Sequence, residues 1–189
     1  MIAGMDTALD RPWTTESFLT WEDRQEFKYE FDGTRVIPMT GGSVAHQRIV
    51  FNLCLALMGL LNAYPFLAVQ EMRLRIGRRI RYPDVVICGA PLEQTMRTLT
   101  DALAIFEVLS EDTATTDRVI KLIDYAAVPS PRTYVLLEPT AIAATLFQRQ
   151  PGGQWVASAH TEGSLVLPGL EIAVPLADLY RGLSFPVQE

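Results

Sequence analysis

The sequence predicts an α/β fold, a central mixed sheet flanked by helices, with an extra β-rich carboxy-terminal part. Three observations carry that expectation. Two short apolar runs of strand composition, Tyr82-Pro83-Asp84-Val85-Val86-Ile87-Cys88 and Ala104-Ile105-Phe106-Glu107-Val108-Leu109-Ser110, each hold one carboxylate. Two stretches of helical spacing, Ser43 to Tyr64 and the segment through Asp117, Val119, Ile120, Lys121, Ile123 and Ala127, lie before and after them. Beyond Pro129 the chain reads as successive strands closed by one short helix.

Residues 1 to 12 lack a sustained period and end in Arg11-Pro12, which predicts a flexible amino-terminal tail, with 13 to 189 as a single domain. From Thr14 to Glu26, Thr15 is a candidate cap, and acids mixed with Phe18, Leu19 and Trp21 suit short helices. Phe27 to Phe31 and Arg35 to Met39 flank Asp32-Gly33-Thr34, a hairpin turn in which the glycine can take positive φ. Gly41-Gly42-Ser43 is a turn, Ser43 caps the following helix, and Pro65 stops it after Tyr64. Ile49, Val50, Leu53, Leu57, Leu60 and Leu61 supply its core stripe. Phe51, Cys54, Leu55 and Met58 make it apolar most of the way round, as in a buried helix or an oligomer contact.

Ala68 to Ile76 alternates, with Val69, Glu71, Arg73 and Arg75 on one face, which predicts one strand with a wet side and a salt bridge between Glu71 and the arginines. Gly77-Arg78-Arg79 turns the chain back toward Asp84, and Gly89 to Thr100 is a loop. Thr113, Thr115 or Thr116 can cap the helix bearing Lys121. Strands follow at Thr133 to Leu137, Ile142 to Arg149 and, across Pro151-Gly152-Gly153, Trp155 to Ala159. Further strands near Leu165 and Ile172 and a helix from Leu176 to Gly182 complete the chain.

At 189 residues, 49% of them apolar, the chain suits one compact core. The longest apolar stretch, Ile49 to Leu61, carries Asn52 and is short for a bilayer, and no charged-then-apolar leader opens the sequence, so a soluble, cytoplasmic protein with no membrane partner is expected. Cys54 and Cys88 show no metal-finger spacing and read as reduced thiols. A formal charge of −6 argues against non-specific nucleic-acid binding over the whole surface. Basic residues concentrate only at Arg73, Arg75, Arg78, Arg79 and Arg81, just ahead of Asp84. A carboxylate inside an apolar strand, as at Glu107, is costly unless paired, protonated or metal-bound.

Tyr-Pro-Asp-Val-Val at 82 to 86, Glu-Val-Leu-Ser at 107 to 110, Asp-Arg-x-x-Lys at 117 to 121 and Pro-Ser-Pro-Arg-Thr-Tyr-Val-Leu at 129 to 136 together resemble the Uma family of putative restriction endonucleases, a branch of the PD-(D/E)XK nuclease superfamily. Flanking segments resemble it in the same order: Lys28 to Gly33, Met39 to Ser43 with His46, and Leu167 to Leu170. The resemblance spans roughly residues 13 to 182 and implies a restriction-endonuclease-like sheet. It implies a Mg²⁺-dependent DNA endonuclease, with Mn²⁺ as substitute cation and DNA as partner. Asp84 and Glu107 would bind the metal with the Val108 carbonyl as a third protein ligand, Lys121 would hold or activate the attacking water, and Glu30 would bind or orient the metal. A homodimer or higher homo-oligomer is expected from the apolar helix.

Each assignment has a plainer competitor. The superfamily's usual lysine lies two residues after the second acid, where this chain has Leu109, and in the resembled family the lysine comes from the next helix, where Lys121 stands. Lys121 could instead pair with Asp117 on the solvent side. Glu30 could be an exposed strand glutamate, and His46 a capping or core histidine. The whole chain could also be an inactive nuclease-fold protein serving as a binding or assembly module.

Overall fold

The computed structural model describes residues 12–39, 41–109, 114–127 and 129–185, with the side chains of 114–119 outside the description. Almost all of the expected tail, the Thr113 cap and the Asp117 side chain therefore lie outside the described residues. Three sheets, one central, are accompanied by helices. The order is α1 (Thr15–Glu22), β1 (Tyr29–Phe31), β2 (Val36–Pro38), α2 (Val44–Leu61), β3 (Phe66–Gln70), β4 (Arg73–Ile76), β5 (Arg79–Arg81), β6 (Val85–Gly89) and β7 (Thr98–Leu99). It continues with β8 (Ala104–Val108), α3 (Ala114–Ala126), β9 (Thr133–Leu137), β10 (Ala144–Arg149), β11 (Trp155–His160), β12 (Ser164–Leu167), β13 (Ile172–Pro175) and α4 (Leu176–Leu179).

The central sheet runs β11-β10-β9-β8-β6-β3 and is mixed, because β8 and β9 are parallel across the α3 crossover while its other pairs are antiparallel. A second sheet runs β2-β1-β5-β4-β7, and β12 pairs with β13 separately, the β-rich carboxy-terminal addition. Side chains alternate across the central sheet. Val85, Ile87, Ala104, Phe106, Val108, Val135 and Leu137 enter one core with α2, β13 and α4. Val86, Cys88, Ile105, Leu109, Tyr134 and Leu136 enter a second with Leu74, Ile76 and Tyr125. Glu107 shares the parity of Ile105 and Leu109, so it projects into the layer between the two sheets.

Three expectations are corrected. The segment from Ala68 to Ile76 is not one strand: the chain breaks at Glu71, which has φ +44°, and passes from the central sheet at β3 into the second sheet at β4. The returning arm changes sheets likewise, between Arg81 and Val85, leaving Asp84 at the joint. Glu71 pairs with Lys28 at 2.7 Å and not with the neighbouring arginines. At the first helix Thr14 is the cap, accepting from Ser17 N, and Thr15 is buried and donates to the Arg78 carbonyl at 2.8 Å.

Ser43 does cap α2, accepting from His46 N at 3.2 Å. The helix spans 18 residues, longer than the apolar run counted from Ile49, and is long and apolar enough by length and composition to cross a membrane. Here Ile49, Val50, Leu53, Leu57 and Leu61 are buried in the core, and Asn52 donates to the Leu179 and Arg181 carbonyls at 3.0 and 2.9 Å.

Candidate functional site

Four separate segments deliver polar groups to the layer between the sheets. β1 brings Glu30, the joint before β6 brings Asp84, β8 brings Glu107, and α3 brings Lys121 and Tyr125. Glu107 is 6% exposed despite its charge, and both its oxygens are engaged. Lys121 Nζ donates to Oε2 at 3.1 Å and the Tyr125 hydroxyl to Oε1 at 2.9 Å. Lys121 Nζ also lies 3.8 Å from Glu30 Oε1. Lys121 thus faces the acids and is mostly buried.

Asp84 accepts from the Val108 N–H at 2.7 Å through Oδ2, and its Oδ1 lies 3.0 Å from His46 Nε2. His46 therefore belongs to the cluster. Glu30 accepts from Arg81 at 2.8 Å and from the Tyr82 N–H at 3.2 Å. Glu71 is tied to the same place, because its N–H donates to the Asp84 carbonyl at 3.2 Å. Its partner Lys28 lies 5.4 Å from the centre of the Tyr82 ring.

The electrostatics follow from burial and crowding. Loss of hydration pushes the Glu107 carboxyl up to about 7. The Lys121 charge opposes that rise, and the charges of Asp84 and Glu30 add to it. His46 is raised above the ordinary histidine value by its hydrogen bond to Asp84, against the effect of burial. The Tyr125 phenol is held well above its usual range by burial and by the Glu107 charge beside it.

The donor chemistry fits a hard divalent cation. Carboxylate oxygens are its preferred ligands, and the unfavourable proximity of Asp84, Glu30 and Glu107 is what a cation would relieve. No group of three His, Cys, Asp or Glu side chains forms a ready cage among the described residues. Mg²⁺ needs none, since it is commonly held by one or two carboxylates with water completing its shell.

Of the five arginines concentrated ahead of Asp84, four are held in ion pairs with acids and Arg78 is exposed. Arg73 is buried against Glu22 and, at 2.6 Å, Asp23. Arg75 pairs with Glu16 at 2.9 Å, and Arg79 and Arg81 pair with Asp124 at 2.9 and 2.5 Å. Reaching a phosphate would require breaking these bonds. Sequence reasoning left Tyr125 and Asp124 out of the site and read Arg81 only as part of the basic run ahead of Asp84. Tyr125 stands one helical turn after Lys121, a spacing that could have drawn attention to it. Arg81 meets Asp124 across 43 residues and leaves no local signal.

Comparison with known proteins bears on the family and the fold. An uncharacterized protein of Synechocystis, slr1290, is 27% identical over 190 residues, covering 98% of this chain and all of that protein. A second uncharacterized Synechocystis protein, sll1609, is 29% identical over 158 residues, covering 80% of this chain and 89% of its own. The crystal structure of a putative nuclease belonging to DUF820 from Anabaena variabilis superposes with a TM-score of 0.75 at 16% identity, covering 89% of this chain and 98% of the other, and so shares the fold. Residues 15–177, which include Glu30, Asp84, Glu107 and Lys121, match the Uma2 family, described as putative restriction endonuclease, and the chain belongs to that family.

Proposed function

We propose that this protein is a Mg²⁺-dependent DNA endonuclease, accepting Mn²⁺ in its place, that hydrolyses phosphodiester bonds at the Glu30, Asp84, Glu107 and Lys121 cluster. The observation that carries the reading is the convergence of three carboxylates and one lysine from four segments onto one mostly buried spot. Asp84 and Glu107 would hold the cation, the Val108 carbonyl would add a third ligand, and Glu30 would orient it. When bound, the cation supplies charge stabilisation to the phosphoryl oxygens. Lys121, already held by Glu107, orients the water whose oxygen forms the new bond to phosphorus as the ester bond breaks. The Val108 N–H and His46 fix the two oxygens of Asp84, so its carboxylate enters the reaction in a set orientation.

A second reading is a non-catalytic binding or assembly module, favoured because Lys121 and Tyr125 already occupy both oxygens of Glu107 and because four nearby arginines are committed to internal ion pairs. Calorimetry with Mn²⁺ separates the two. The parent should bind the cation, and Asp84→Ala and Glu107→Ala should each abolish or severely weaken binding. Unchanged affinity in both variants sinks the metal site. Lys121→Met should keep the fold and the metal affinity while slowing Mg²⁺-dependent plasmid cleavage by roughly a hundredfold or more, the scale for losing a positioned charge-stabilising group. Cleavage at the parent rate returns Lys121 to a structural role, and a parallel RNA substrate tests the choice of DNA.

The same proposal includes a homodimer formed through α2. Phe51, Leu55 and Met58 stand exposed at 53%, 49% and 68% along one stripe of that helix, and two copies would present two sites to a duplex.

A further inference from the structure

Among its described side chains, the helix that carries Lys121 is fastened to the sheets by directional polar contacts as well as by the packing of Tyr125 and Leu122. Lys121, Asp124 and Tyr125 recur at spacings of three and four and share the inward face of α3. Ile120 and Ile123, by contrast, stand 41% and 58% exposed. Asp124 is 1% exposed and both its oxygens are gripped. Oδ1 lies 2.9 Å from Arg79 Nε in an ion pair, and Oδ2 accepts from Arg81 Nε and Nη2 at 3.0 and 2.5 Å. The remaining arm of Arg81, Nη1, donates to Glu30 Oε2 at 2.8 Å. Glu30 meets Lys121, Lys121 meets Glu107, and Glu107 accepts from Tyr125. This circuit of contacts begins and ends on α3.

Burial of apolar surface has little direction of its own, so the packing of Tyr125 and Leu122 restrains rolling of the helix less sharply than a directional bond does. A planar guanidinium fork does have direction, and Arg81 spends its fork at once on the helix and on Glu30, which lies 3.8 Å from the Lys121 ammonium. The sensitivity is steep. With side-chain ends about 5–6 Å from a helix axis, a roll of about 20° moves them by about 2 Å. That is enough to break the 3.1 Å contact between Lys121 and Glu107.

We infer that Asp124 and Arg81 are positioning residues that hold the Lys121 ammonium against Glu107 and Glu30. The inference deepens, and for its kinetic part rests on, the reading of Lys121 as the group that orients water. Its structural part stands without that reading, and the chain offers a direct way to see it. Lys28 and Lys121 are the only lysines in the sequence. The Lys28 side chain is 43% exposed and Lys121 only 13%, so one serves as the internal reference for the other.

The experiment is acylation of the metal-free protein with an amine-reactive ester, with the rates at the two lysines read by mass spectrometry. In the parent, Lys121 reacts far more slowly than Lys28. In Asp124→Asn the Lys121-to-Lys28 rate ratio rises tenfold or more, while near-ultraviolet circular dichroism and cooperative melting are retained. Arg81→Lys, which keeps a cation but loses the fork, moves the ratio the same way and covers the case in which the first variant does not fold. With plasmid DNA, either variant lowers kcat at unchanged KM and unchanged Mn²⁺ affinity, a split that general loosening of the fold would not produce. Continued protection of Lys121 in a folded variant overturns the inference. So does collapse of the fold in both variants, because the ion pairs would then serve the core as a whole. A parent that cuts no DNA refutes the catalytic reading and leaves the labelling ratio to decide the positioning.

Discussion

Replacing Glu107 by glutamine should change how the stability of the metal-free protein depends on pH. The carboxyl titrates at about 7 in the folded chain against an ordinary value of 4.5, a gap of about 2.5 decades in proton affinity. At about 1.36 kcal/mol per decade this is a linkage of about 3 kcal/mol. The sign follows from which state keeps the proton. Between 4.5 and about 7 the folded chain stays protonated while the unfolded chain releases its proton, so stability is greatest below 4.5 and falls as pH rises through about 7. His46, raised by Asp84, slopes the same way at higher pH, since its contribution is complete below the ordinary histidine value and is lost as pH rises through its own. The lowered acids Glu16, Asp23 and Asp32 act in the opposite sense and only at lower pH. Subtracting the Glu107→Gln curve from the parent curve isolates the glutamate. In EDTA, thermal melting from pH 5 to 8 should lower the parent by roughly 5–10 °C relative to the variant, taking about 2–4 °C per kcal/mol for a chain of this size. Millimolar Mg²⁺ should then stabilise the parent more at pH 8 than at pH 5.5, because cation and proton compete for the same carboxylate. Parallel curves for parent and variant across the whole range would refute the account of Glu107.

Further outcomes are expected elsewhere. The sequence has two histidines, so NMR titration resolves His46 from His160; it should titrate above the ordinary value in the parent and drop back in Asp84→Asn, and an unmoved His46 removes the Asp84 contact. Gly42→Ala should disturb the same ring, since an added Cβ would sit 2.6 Å from His46 Cγ and Cδ2, and an unchanged His46 titration in that variant argues against the packing described. Leu55→Glu should convert a dimer into monomers at micromolar concentration in sedimentation velocity, and a parent that is already monomeric ends the proposal for α2. Tyr180→Phe should cost on the order of 0.5–1.5 kcal/mol by removing the 2.6 Å hydrogen bond from its hydroxyl to the Ala143 carbonyl, which keeps the Glu138 N–H at 3.0 Å, and denaturant unfolding measures it.

Much of this arrangement can be read from the residues themselves, where the controlling physics is local. The strand Thr133–Leu137 appears with the bounds expected, Ser43 caps its helix, and the single charge in the run Ala104 to Val108 faces inward as period-two alternation requires. The gathering of Glu30, Asp84, Glu107 and Lys121 was legible through family resemblance, not spacing, because the four lie on elements whose order in space is set by sheet topology. What escaped was set by distant partners. Alternation continues smoothly through Glu71, so periodicity carries no sign that the chain changes sheets there. The arginines before Asp84 look like a basic patch until the folded chain brings Glu16, Glu22, Asp23 and Asp124 to four of them. His46 reads as a cap-proximal residue because Asp84, its partner, lies 38 positions away.

The crossing ribbon of β3 to β6 bears on how such proteins tolerate changes in length. Its two arms leave the central sheet at Glu71 and rejoin it after Asp84, and the Glu71 N–H bonded to the Asp84 carbonyl ties the crossings together at 3.2 Å. Beyond them the arms pair in strict register, Leu74 with Arg81 and Ile76 with Arg79, around the tip at Gly77. One residue inserted into a single arm would turn every following side chain to the opposite side, carrying Arg81 out of the buried layer or Asp84 away from His46. A pair of residues added symmetrically at the tip would lengthen the ribbon and leave both crossings as they are. Relatives that keep the acids should therefore vary in length at the tip, by even numbers, and hold the arms between it and the crossings fixed.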